Sequence, residues 1–138
     1  METPRILLAG NCDKTTNLAR AALEPLDYQI VTARAMSMAL FLAHKNLPEL
    51  IVSPFEMLDG DGMTFLTELR QDEELQSIPF VFCLNEMPEA QFELAAIKEG
   101  AAKVVSNNLT VSEFKNLVEP LIHERLVKKG KRQEFTPE

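Results

Sequence analysis

Short apolar runs alternate along this chain with stretches of helical period, and few folds accept that order. The runs are Arg5–Gly10 (RILLAG), Tyr28–Thr32 (YQIVT), Leu50–Ser53 (LIVS), Pro79–Leu84 (PFVFCL) and Lys103–Ser106 (KVVS). Each reads as a strand, and the aromatic and β-branched content of Pro79–Leu84 predicts burial on both faces. Helical spacing fills the gaps. Thr15–Leu26 places Leu18, Ala22 and Leu26 at four-residue intervals with Leu23 beside them, and Pro25 should end that helix. Ala35–Lys45 turns Met38 and Leu42 inward, and Gly62–Arg70 does the same with Met63, Leu66 and Leu69. Glu89–Glu99 is helical through Phe92, Ala96 and Ile97 until Gly100 stops it. The last helix runs from Thr110 to about Lys128. Thr110 and Glu113 have capping-box spacing, and Pro120 should kink or interrupt the helix.

Strands and helices that alternate with short links imply an α/β protein with a parallel five-stranded sheet covered on both faces. Such sheets put their sites at the carboxyl ends of the strands. A chain of 138 residues fits one domain, here residues 1–128, with 129–138 (from Lys129 to Glu138) expected as a polar tail. The net charge of −7 excludes a nucleic-acid-binding role, because phosphate recognition needs a basic surface. Lys128, Lys129, Lys131 and Arg132 instead complement a helix end. Cys12 and Cys83 form no metal-binding or redox spacing and read as reduced thiols of an intracellular protein. The first residues lack the apolar core of a signal peptide, and no run is long enough to span a bilayer. The expected location is the cytoplasm, without membrane contact.

The stretch ELIVSPFEMLDGDG (49–62) runs from a strand into an acidic loop and a helix start, and the residue at the strand end is Pro54. Together with SIPFVFCL and KEGAAKVVSNN, it resembles the receiver domain of two-component response regulators, over about residues 4–128. The resemblance implies a doubly wound (βα)5 sheet of flavodoxin type with strand order 2-1-3-4-5. It also implies phosphoryl transfer from a histidine kinase to an aspartate, assisted by Mg²⁺ on an acidic pair, a hydroxyl and a lysine.

Laid on that pattern, the nucleophile position is Pro54 and the acidic pair falls on Gly10 and Asn11. The hydroxyl position is Leu84, the lysine–proline pair falls on Asn107 and Asn108, and the aromatic switch aligns with Val104. No part of the reaction is present, so the expectation is a degenerate pseudo-receiver: a signalling module that binds protein partners or itself, takes no phosphate and needs no cofactor. Its interface should draw on residues 89–99, Ala102–Val104 and the exposed side of 110–128. Glu89, Glu93, Lys98 and Lys103 there surround apolar Leu94 and Ala102. The alternative is a small ligand or cation in the vacated strand-end pocket. An enzyme of flavodoxin-like fold is disfavoured by the lack of a nucleophile–base pair.

Other residues carry weaker signals. Asp13 and Glu56 follow neighbouring strand ends and could share a displaced cation. Asp59-Gly60-Asp61-Gly62 lacks the later Glu of a calcium loop and reads as a turn with Asp61 capping the third helix. Ser53 and Ser106 have no histidine near in sequence, so neither is expected to accept phosphate. GNCDKT lacks the glycine spacing and the terminal Lys-Ser/Thr of a phosphate loop. His44 and His123 read as surface residues, and the Asn108-Leu109-Thr110 sequon has no meaning in the cytoplasm.

Overall fold

Ile6, Leu7 and Leu8 offer water no polar face, so the first run can be a strand only inside a sheet. The computed structural model, which describes the backbone of residues 3–134 and the side chains of residues 3–128, puts it there. Strand β1 (Arg5–Ala9) pairs on one side with β2 (Gln29–Ala33) and on the other with β3 (Leu50–Ser53). Beyond β3 lie β6 (Phe80–Leu84) and β7 (Lys103–Ser106). The sheet order is β2-β1-β3-β6-β7 and every pair is parallel, the doubly wound order expected from the sequence.

Alternation along the strands builds two cores. Leu7, Ile51, Phe80 and Phe82 face α2 (Met36–Asn46), α3 (Gly62–Gln71) and α4 (Ala90–Glu99), packing on Phe65, Leu66 and Ala96. Ile6, Leu8, Val52 and Val81 face α1 (Asp13–Leu23) and α5 (Val111–Glu134), packing on Leu18, Leu23, Phe114 and Val118. Both faces of the central strands are therefore apolar, as parallel strands require.

The caps follow local chemistry. Asp61 accepts from the Thr64 N–H at 2.8 Å to start α3. Thr110 and Glu113 exchange both bonds of the capping box ahead of α5, at 2.9 and 3.1 Å. Pro25 ends α1 as expected, leaving a 3-10 turn at Glu24–Leu26. Gly100 closes α4 with φ of 118°, a conformation other residues rarely adopt.

Several expectations need correction. The 56–61 loop is not a plain turn but an antiparallel hairpin, β4 (Glu56–Met57) and β5 (Gly60–Asp61). Met38 and Ile97 face outward, 49% and 45% exposed, because α2 and α4 approach the sheet on small residues instead: Ala39, Ala43 and Ala96. Helix α5 runs through Pro120 without interruption. Pro120 and Asn116 both lie on the exposed side, where the carbonyl freed by the proline can turn to water. The helix also continues past Lys128 to Glu134, into the expected tail, and residues 135–138 lie outside the described residues.

Candidate functional site

At the carboxyl ends of β1, β3 and β6 a cleft of about 420 Å³ opens, lined by Asn11, Cys12, Thr15, Pro54, Phe55, Glu56, Cys83, Leu84, Asn85 and Glu86. Beside the cleft, chain geometry dictates how β1 ends. Gly10 ends β1 with φ of 88°, its N–H donating to the Ala33 carbonyl at 2.7 Å. The Pro54 ring occupies the space above it: a Cβ added at Gly10 would lie 2.5 Å from Pro54 Cγ. A bare backbone at Gly10 and the hydrocarbon ring of Pro54 thus fit one another.

Gly10 and Pro54 do not fit Mg²⁺. The ion requires near-octahedral oxygen ligands including carboxylates, and neither residue has a side-chain oxygen. Asn11 is exposed at the rim and neutral. The loop after Pro54 closes tightly as well, since a Cβ at Gly62 would lie 2.4 Å from the Pro54 carbonyl oxygen and 2.5 Å from Phe82.

Asn107, which the sequence resemblance aligns with the family's lysine, is 3% exposed and folds back into the protein. Its Nδ2 donates to Asn85 Oδ1 at 2.9 Å, Thr15 Oγ1 at 3.1 Å and Cys12 Sγ at 3.6 Å. Its Oδ1 is buried with no hydrogen-bond partner. Asn108 is exposed and accepts from Lys14, while its own amide donates to the Asn85 carbonyl. Leu84 is half-buried against the core that contains Val104, and Val104 is buried at 6% exposure. An aromatic side chain swinging between inside and outside has no counterpart at that position.

The remaining candidates are placed as follows. Asp13 lines one depression with Arg20 and Arg34, Glu56 lines the main cleft, and Asn11 borders both. Ser53 is fully buried and donates to the Pro54 carbonyl, and Ser106 Oγ accepts from the Asn108 N–H. His44 is exposed and stands 3.2 Å from Asp72, and with Glu74 these form the one potential metal-ligating group among the described residues; none of the three lines the cleft. On the α4 side, Leu94 is 70% exposed, Glu93 and Lys103 are half-buried, and Ala102 is exposed.

Sequence reasoning missed two features. Asp59, read as a turn residue, adopts φ of 57° and caps α2 with its carboxylate, accepting from Met36 N at 2.7 Å and from the Ser37 hydroxyl at 2.5 Å. Cys12 and Cys83, separated in sequence, line one cleft, with the Thr15 hydroxyl donating to Cys83 Sγ at 3.9 Å. Burial alone would raise the Cys12 pKa. The polar groups of Thr15, Lys14 and Asn107 near its sulfur outweigh it, and the thiol falls below its ordinary value. Burial pushes Cys83 the other way, up to about 11. The position of Cys12 between a strand end and a helix start was the available signal.

The structural neighbours of this fold are receiver domains of two-component response regulators. No protein-family model matches the chain. Among solved structures, it is similar to the signal receiver domain of an HD domain-containing protein from Pseudomonas fluorescens Pf-5, with a TM-score of 0.81 and 21% identity over 94% of each chain. Among curated proteins, it is 27% identical over 109 residues to the KDP operon transcriptional regulatory protein KdpE of Escherichia coli, covering 79% of this chain and 47% of that protein. It is also 29% identical over 105 residues to Histidine kinase P4 of Formosa agariphila, covering 76% of this chain and 8% of that one. The chain spans less than half the length of either curated relative. Among the described residues no helix is long and apolar enough to cross a membrane.

Proposed function

We propose that this chain is a receiver-type domain of two-component signalling that no longer takes phosphate and works as a protein-interaction module. One observation carries the reading: the Pro54 ring fills the place where a side chain at Gly10 would stand. An acyl phosphate needs a carboxylate nucleophile, and its charge needs a cation held nearby. Neither position offers a side-chain oxygen, and the two residues fit each other closely.

The surface assigned to partner binding is that of α4 and β7. Leu94 and Ile97 are exposed there beside Glu93 and Lys103, an apolar centre with a charged rim. Partners on this reading are signalling proteins, a second copy of the chain included. With no phosphorylation to shift a population, binding should be constitutive. The test is sedimentation and cross-linking of the wild type beside Leu94→Glu and Lys103→Glu, alone and with components of a two-component pathway. Association that weakens in both variants and ignores Mg²⁺ and phosphodonor supports the reading. Association that both variants leave untouched places the interface elsewhere. A second reading, a small guest in the strand-end cleft, is favoured by that cleft's volume of about 420 Å³.

A further inference from the structure

Helices α2 and α3 lie on one face of the sheet and lead into β3 and towards β6, so both end at the amino edge of the strands, away from the cleft. Three metal-ligating side chains meet there. His44 lies in the last turn of α2, Asp72 is the C-cap of α3, and Glu74 follows in the next turn. One ligand atom from each falls within 4.8 Å of the other two, and His44 Nε2 stands 3.2 Å from Asp72 Oδ2. Zn–N and Zn–O bonds of about 2.0–2.1 Å set neighbouring ligands about 3.3 Å apart in a tetrahedron, so the His44–Asp72 edge already has the required length. The exposed Glu74 side chain reaches the third corner by turning about its own bonds. The local charge also calls for a cation. Among the described residues no lysine or arginine forms an ion pair with Asp72 or Glu74. Arg70, two residues before Asp72, gives its guanidinium to the Gly100 and Ile78 carbonyls, and Lys45, next to His44, stands over the Phe41 ring at 5.9 Å. The carbonyl ends of two helices add partial negative charge. A histidine–carboxylate ion pair needs one carboxylate, and this cluster holds two.

We propose that His44, Asp72 and Glu74 form a binding site for one divalent transition-metal ion of the zinc class. The imidazole decides the class: Zn²⁺, Ni²⁺ and Co²⁺ accept a nitrogen ligand readily, whereas Mg²⁺ and Ca²⁺ take oxygen ligands. Three protein ligands leave the remaining coordination to water. The ion ties the end of α2 to the connection between α3 and β6 and neutralises the two carboxylates. The inference stands apart from the interaction-module reading, and its failure leaves the docking surface and the strand-end cleft untouched.

The test titrates the full, reduced chain, first freed of metal by a chelator, with Zn²⁺, Ni²⁺ and Mg²⁺ in a calorimeter. Imidazole NMR signals are followed in parallel, since His44 and His123 are the two histidines of the chain. The expected result is one Zn²⁺ or Ni²⁺ per chain, undisturbed by about a hundredfold excess of Mg²⁺. Zn²⁺ should move the His44 signal and leave that of His123 in place. It should also raise the melting temperature of the wild type but not of His44→Ala. His44→Ala and Glu74→Gln should each weaken Zn²⁺ binding by more than about tenfold, because even outer-shell partners cost about that much. A Cys12→Ser/Cys83→Ser variant should bind as the wild type does. Absence of binding, a Zn²⁺ site lost with the thiols, a shift at His123 in place of His44, or an affinity unchanged in His44→Ala or Glu74→Gln would each overturn the proposal. The wild-type NMR spectra decide this even where a variant folds poorly.

Discussion

Because a Cβ at Gly10 would meet Pro54 Cγ at 2.5 Å, Gly10 cannot gain a side chain while the proline ring stays in place. Gly10→Ala should cost on the order of 2–4 kcal/mol, part from the backbone at positive φ and part from the proline contact. In a Pro54→Ala background the contact part disappears, so a double-mutant cycle by urea denaturation should recover about 1 kcal/mol of coupling. Additive costs would mean that the ring and the glycine are not in register. That Pro54 and Gly10 carry no carboxylate was legible in the sequence from residue type alone. Their mutual fit was not, because it depends on a strand-to-strand approach and a positive φ. The convergence of Asn107 on Thr15 and Cys12 was hidden for the same reason: 92 and 95 residues separate the partners.

Helix ends and connections carry the next set of forces. Ser37's hydroxyl, followed by the Ser37 and Met36 N–H groups, holds the Asp59 carboxyl below its ordinary value. A carboxyl lowered in the folded state stabilises above the unfolded pKa, and that contribution is lost as pH falls through the folded value. Asp59→Asn should therefore be less stable than wild type near neutral pH, with the difference closing under acid. Thermal melts from neutral pH down through the carboxylate range check this, and a gap that widens in acid would contradict it. Arg70 links three connections: its guanidinium donates to the carbonyls of Gly100 at 2.9 Å and Ile78 at 3.0 Å, and to Leu75 at 3.5 Å. Arg70→Leu strands those acceptors and should cost on the order of 2–3 kcal/mol in chemical denaturation, with Arg70→Lys a poor rescue because one ammonium cannot span the fork. Strand positions were readable to within a residue or so, as at Leu50–Ser53 and Lys103–Ser106, because continuous apolar runs leave little choice. The β4–β5 hairpin was not readable. Glu56, Met57, Gly60 and Asp61 have no strand pattern, and their pairing follows from Asp59 being drawn onto α2.

At the scale of the molecule, a sheet with apolar residues on both faces fixes the architecture, and its carboxyl-end cleft fixes where any chemistry would sit. That much followed from the order of elements. Which surface meets a partner did not follow from it, because α2 as well as α4 exposes apolar side chains, Met38 and Phe41 on one and Leu94 and Ile97 on the other. On the proposed function, this receiver-type fold persists without its phosphoryl chemistry. The most direct test is intact-mass analysis of the folded chain after incubation with Mg²⁺ and a small phosphodonor such as acetyl phosphate, beside a receiver that retains its aspartate as the positive control. The account predicts no added phosphate on the wild type, and none on Pro54→Asp, which regains a nucleophile but no metal ligand at Gly10. An acid-labile phosphate on the wild-type chain, mapped to any residue at the strand ends, would contradict it.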